Sequence, residues 1–182
     1  MAYESPSYVV VERIGRVEIR DYEGYLAAET DVDGPLEQAG NAGFRTLARF
    51  IFGANQVSPG QSTKIAMTSP VTQVPADDRF RVRFMMPTQY TADSLPVPDD
   101  PNVTIVEVGP QRLAAIRYSG RWSQDGHDRH LDELREVLVA NDRSTTGEPI
   151  WARYDPPWKP WFLRRNEVLV ELDEPPSGHP QP

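Results

Sequence analysis

The chain has 182 residues, 38% hydrophobic and 25% charged, with a net charge of −8 and no cysteine. That length suits one domain with a real core, and the missing cysteines exclude disulfides, thiolate catalysis and cysteine-held metals. The acidic balance argues against nucleic acid as the main partner, because phosphate binding needs a basic surface.

Met1 to Ser7 contains no basic region and no long apolar run, and no stretch reaches membrane-spanning length. A cytoplasmic protein without a membrane span, and a monomer, is expected. Tyr8 to Ile14 and Val17 to Thr30 are rich in β-branched residues and read as strands. Asp33-Gly34-Pro35 then opens a helix, proline being tolerated in a first turn. The helix runs to about Phe52 and stops at Gly53. Lys64 to Thr68 reads as a strand ended by Ser69-Pro70, and Phe80 to Met86 as another closed by Pro87. Residues 87–101, with four prolines, read as a linker.

The second half repeats the order. Val103 to Val108 and Leu113 to Tyr118 read as strands, Asp125 to Asn141 as a helix, and Ile150 to Tyr154 and Asn166 to Leu172 as two more strands. Gly15 corresponds to Gly109, and Ser69-Pro70 to Asp155-Pro156. Two repeats, about 8–87 and 102–172, within one domain of residues 1–172 are expected. Their strands would combine into one antiparallel sheet or barrel with a helix on each half. Residues 173–182 are polar and proline-rich and are expected to be disordered, His179 included.

Projected at about 100° per residue, Leu36, Ala39, Gly40, Gly43, Leu47, Phe50 and Ile51 share one stripe of the first helix, its core face. Gly40 and Gly43 each cost a helix about 1 kcal/mol against alanine, which a close approach to a sheet would explain. Phe44, Ala48 and Phe52 form a second apolar strip beside Arg45 and Arg49. That strip either packs under a loop or walls a pocket for a planar acidic ligand, with cations meeting its carboxylates.

The loop at issue is Tyr154-Asp155-Pro156-Pro157-Trp158-Lys159-Pro160-Trp161. Its prolines bar regular structure, so it is a stiff loop carrying large aromatic surface. Such a loop plugs a core, walls a ligand pocket, or serves as a contact hot spot for another protein.

Lys64 to Val71, Phe84-Met85-Met86-Pro87, the Tyr154 to Pro160 loop and Arg164-Arg165-Asn166-Glu167-Val168 together resemble the SOUL haem-binding protein family over roughly residues 8–172. The resemblance implies an α+β fold of two βαββ repeats around a distorted antiparallel β-barrel with two flanking helices. It also implies haem or related tetrapyrrole binding in a shallow apolar cleft between the first helix and the proline-rich loop, as a carrier, buffer or sensor. Carried onto this chain, it places Asn41, Phe44, Ala48, Arg49, Tyr154 and Lys159 on the ligand side. Trp158 would add apolar contact, and Arg49 and Lys159 would pair with propionates. Some members hold iron through a histidine in the first half. This chain has none before His127, so binding without a firm protein axial ligand is expected.

Other chemistry is weaker. His127 and His130 share a helix face, but no third metal ligand accompanies them; hydrogen bonding to Asp125 or Asp128 is the simpler expectation. Met67 is expected to pack in the core rather than ligate iron. Arg165 is expected to be structural, pairing with Glu167 or loop carbonyls, while Arg164 stays open between that role and a propionate. A resemblance to gyrase-inhibitor-like regulatory domains offers an alternative, binding or hydrolysis of small molecules, with Glu107 and Glu171 as the carboxylates to inspect. No catalytic residue is assigned.

Overall fold

The structure, a computed structural model, describes residues 3–176. Its elements are β1 (Tyr8–Ile14), β2 (Val17–Tyr22), β3 (Tyr25–Val32), α1 (Leu36–Ile51), β4 (Asn55–Gln56), β5 (Val71–Ala76) and β6 (Arg79–Met85). The second half adds β7 (Val97–Pro98), β8 (Thr104–Val108), β9 (Gln111–Tyr118), α2 (Gln124–Val139), β10 (Thr145–Arg153) and β11 (Asn166–Leu172). The fold is α+β. Nine strands make one antiparallel sheet in the order β1-β2-β9-β11-β10-β5-β6-β3-β8. The sheet is strongly curved but open, with β1 and β8 as edges, rather than closed into a barrel.

The strand order is nearly a palindrome. From the β5–β10 junction it runs β6-β3-β8 one way and β11-β9-β2 the other. Each half therefore holds the strand before its helix and the two after it. The remaining strand is exchanged: β2 lies beside β9, and β8 beside β3. This exchange ties the halves into one sheet.

Both helices lie on the same side of this arrangement, each over its own half. Leu47, Phe50 and Ile51 of α1 bury against Val82 and Phe84. Leu131, Leu134 and Leu138 of α2 bury against Ile116, Trp151 and Val168. A third cluster, with Tyr22, Leu113, Ala152 and Leu169, occupies the other face. The expected core stripe of α1 is buried along its whole length. At Gly43 a Cβ would lie 2.5 Å from the Val82 side chain, so only glycine lets α1 sit this close to β6.

Four expectations need correction. Val17 to Thr30 is two strands, divided at Glu23-Gly24, where the chain turns between β2 and β3. Lys64 to Thr68 is not a sheet strand: Ile65 buries in the α1 cluster, and Thr68 hydrogen-bonds Met85 O at 2.7 Å and makes a lone bridge to Glu4. The strand is β5, whose Pro75 is tolerated near the end of the ladder beside the Asp77-Asp78 turn. The 87–101 segment is not merely a linker, since β7 pairs with β4. Asp173 and Glu174, expected in a disordered tail, are fastened: Asp173 N–H donates to Ser144 O, and Glu174 pairs with Arg143 and Arg112. Residues 177–182, with His179, lie outside the described residues.

Candidate functional site

An apolar cleft of about 360 Å³ lies between α1 and the proline-rich loop. Asn41, Phe44 and Phe52 form the helix wall, and Tyr154, Pro156, Pro157 and Trp158 form the loop wall. Met67, Ser69 and Val71 contribute from the segment leading into β5, and Trp122 and Arg153 from the second half. Trp158 is 81% exposed, Phe52 61% and Phe44 39%. Phe44 also packs against the buried Phe84, with ring centres 5.4 Å apart. The second apolar strip of α1 therefore does not pack under the tryptophan loop. Helix and loop face each other across a gap.

Four of the seven residues expected at the site, Asn41, Phe44, Tyr154 and Trp158, line this one cleft. The other three do not. Ala48 is buried, and Arg49 is exposed away from the lining. Lys159 turns to Asp155, its Nζ 2.7 Å from Oδ1. The other Asp155 oxygen accepts the Arg165 backbone N–H at 2.6 Å. Burial alone would raise the Asp155 pKa, but these two bonds outweigh it and hold the carboxyl below its ordinary value.

The Arg-Arg-Asn-Glu motif holds the loop in place. Glu167, fully buried, accepts from Arg20 Nη1 at 2.8 Å and Nη2 at 3.2 Å, from Arg165 Nη2 at 2.7 Å, and from the Tyr154 hydroxyl at 2.9 Å. Burial would raise its pKa, but Arg20 and Arg165 more than reverse that. Burial and the Glu167 charge push the Tyr154 phenol well up, so it remains a donor. Arg165 is structural, as expected. Arg164 proves structural too: Nε donates to Lys159 O at 2.8 Å and Nη2 to Pro157 O, pinning the proline loop from beneath. Asn166 Oδ1 accepts the Trp122 indole N–H at 2.8 Å.

Nothing in the sequence marks Arg153 or Trp122, yet together they form the inner end of the cleft. Arg153, the last residue of β10, is 7% exposed and lies against the Trp122 ring at 4.8 Å. Its Nη2 donates to Gln73 Oε1, and Gln73 in turn donates to Leu36 O at 2.9 Å. Its Nε is buried without a partner. Burial pushes its pKa down to about 10, with Tyr118 and Glu37 offsetting part of the shift. Gly40 makes the space: a Cβ there would fall 1.6 Å from Arg153 Nη2. So the two helix glycines have different reasons, one facing Val82 and one facing a guanidinium. Met67, expected in the core, packs against the α1 cluster while also lining the cleft.

The histidines are elsewhere. His127 Nδ1 hydrogen-bonds the Tyr118 hydroxyl, and its ring stacks on Trp151 at 5.2 Å. His130 Nδ1 donates to Gly126 O at 2.6 Å. Both are buried under α2, and their partners are not the aspartates expected. No cluster of three or more metal-binding side chains occurs among the described residues. Glu107 and Glu171 do not line the cleft. A smaller hollow of about 200 Å³ lies on the helix-free face among Tyr8, Tyr22 and Tyr25, but its arginines, Arg83 and Arg165, are already paired with Glu29 and Glu167.

Fold and site together define an α+β domain of two exchanged halves with an apolar cleft beside the first helix. The family described as SOUL heme-binding protein matches residues 3–171, and the chain belongs to that family. It is 32% identical over 159 residues to Heme-binding protein 1 of Xenopus tropicalis, covering 83% of this chain and 80% of that one. It is 29% identical over 162 residues to Heme-binding protein 1 of Mus musculus, covering 84% and 82%. Among solved structures, the EcmrR C-terminal domain shares the fold at a TM-score of 0.63 and 10% identity, covering 87% of this chain and 97% of that one. No helix among the described residues is long and apolar enough to cross a membrane.

Proposed function

We propose that this protein binds haem or a related tetrapyrrole in the cleft between α1 and the proline-rich loop, as a carrier, buffer or sensor. The observation that carries this reading is the pair of facing aromatic walls, Phe44 and Phe52 on the helix and Trp158 on the loop, left open to solvent. Exposed aromatics arranged around a gap are what a flat apolar ligand covers. The relatives named Heme-binding protein 1 support the ligand class.

The cleft volume is at the small end of small-molecule sites, about 300–1,000 Å³. A macrocycle would insert one edge and leave the other in water. The residues fit such a group: apolar side chains for the ring, and a buried cation at the inner end. The lining contains no histidine, and its softest donor is the Met67 thioether. We read binding as resting on ring contact without a firm protein axial ligand. Bound haem would supply its iron and its Soret absorption; the protein supplies the walls and excludes water from one edge.

The test is a titration with haemin and with metal-free protoporphyrin, followed by the Soret band and tryptophan quenching. Saturable one-to-one binding of similar strength for both is expected, weakened about tenfold by Phe44→Ala or Trp158→Ala, each of which removes a stacking wall. Much weaker binding of the metal-free ring would mean that a side chain ligates iron. The exposed Trp158 and Trp161 also suit a protein-contact loop. Trp161→Ala separates the readings, because Trp161 does not line the cleft and its loss should leave haemin binding intact.

A further inference from the structure

We propose that Arg153 is the receptor for a carboxylate of the ligand, so that the cleft selects planar apolar molecules carrying an acid at the edge that enters first. The inference rests on reading the cleft as a tetrapyrrole site and names what that site selects.

The cleft lining is mostly apolar, and Arg153 sits at its inner end with 7% of its surface exposed. Buried arginines ordinarily meet a carboxylate. Arg20, the other buried arginine among the described residues, does so with Glu167, and the half-buried Arg112 pairs with Asp21. Arg153 makes no ion pair among the described residues. Gln73 is its one hydrogen-bond partner there, and Nε has none. The nearest acidic residue along the chain, Asp155, has both oxygens engaged by Lys159 and the Arg165 N–H.

A buried cation without an ion pair is costly, and this one, with the Glu37 charge offsetting only part of its burial, is held in place rather than left to swing out to water. Gly40 leaves room for the guanidinium against α1, Gln73 fixes Nη2, and the Trp122 ring lies under its carbon. A preorganised guanidinium with unused donors, at the end of an apolar-lined cleft, suits a planar carboxylate. Of the cations expected from sequence to meet propionates, Lys159 is committed to Asp155 and Arg49 lies outside the lining. Among the described residues, Arg153 combines a place in the lining with the lack of an ion-pair partner.

The experiment compares protoporphyrin with its dimethyl ester, the same ring without acids, for the full chain and for Arg153→Met and Lys159→Ala. The parent protein should bind the diacid about tenfold or more tightly than the ester, in keeping with a charge-assisted contact. Arg153→Met should shrink that preference to about threefold or less while ester binding persists. Lys159→Ala should keep the preference. Equal binding of acid and ester by the parent protein overturns the inference without any variant, so a folding defect in Arg153→Met cannot hide failure. A preference that survives Arg153→Met, or vanishes in Lys159→Ala, overturns it too. In each of these cases ring binding that remains sensitive to Phe44→Ala leaves the cleft reading standing. Absence of binding by either compound overturns both.

Discussion

The guanidinium of Arg153 lies 4.8 Å from the centre of the Trp122 ring. Arg164 lies 4.9 Å from the same ring, and the indole N–H donates to Asn166. Arg164 in turn holds two carbonyls of the proline loop. One tryptophan just before α2 thus links the cation at the inner end of the cleft to the wall of the cleft. Stacking of this kind contributes about 0.5–2 kcal/mol per pair, more where water is excluded.

Gly40 is expected to be intolerant of alanine even though alanine is the better helix former. The new methyl would overlap Arg153 Nη2 and crowd Gln73. Gly40→Ala should destabilise the fold by about 1–3 kcal/mol. In an Arg153→Ala background most of that penalty should vanish. A double-mutant cycle by urea unfolding measures the coupling.

Glu167 carries the loop's anchorage. Glu167→Ala would leave Arg20 buried without a carboxylate and free both Tyr154 and Arg165. A loss of about 3–5 kcal/mol is expected, with a fall in unfolding midpoint and faster amide exchange across residues 154–165. Wild-type exchange in that loop after the change would show that the network does not hold it.

His127 should give the fold an acid limit. Burial, with Arg153 and His130 nearby, pushes its pKa down to about 4 from 6.5. The folded state therefore resists protonation that the unfolded chain accepts. Stability is unaffected above about pH 6.5 and falls as pH drops from there toward 4, by on the order of 3 kcal/mol. His127→Gln should flatten that slope in unfolding measurements across the window, whatever it does to stability at pH 7.

Trp158 is the converse case. At 81% exposure it adds little to the folded state, so Trp158→Ala should change stability by less than about 0.5 kcal/mol. Together with weakened haemin binding, that result would separate a ligand wall from a structural plug. Substantial destabilisation would instead identify Trp158 as packing.

Much of this molecule is legible along the chain. The period of Leu36, Leu47, Phe50 and Ile51 marks the buried stripe of α1 because helical geometry repeats locally, and Asn166 to Leu172 reads as a strand because the short apolar run Val168-Leu169-Val170, followed by Leu172, is rich in β-branched residues. The prolines of residues 156–160 mark a stiff loop because proline's limits are intrinsic. Phe44 and Phe52 stand out as apolar residues off the core stripe, and the motifs of residues 64–71 and 154–168 carry the family. Lys64 to Thr68 misleads because β-branched composition cannot say whether a neighbouring strand is there to pair.

What the sequence alone determined is therefore local: the helices, most strands, the aromatic loop and the family. Tertiary structure decided the rest, because it depends on partners far apart in the chain. Whether an arginine is paired, stacked or left unmet turns on where a nine-stranded sheet of exchanged halves places its neighbours. Arg20 and Glu167 meet across 147 positions, and Arg153 meets Trp122 and Gly40 only because β10 lies beside β5 beneath α1. Lys159 and Arg49 look like the ligand's cations when read by position, but folding gives one of them an aspartate, leaves the other outside the lining, and leaves Arg153 at the inner end of the cleft without an ion pair among the described residues.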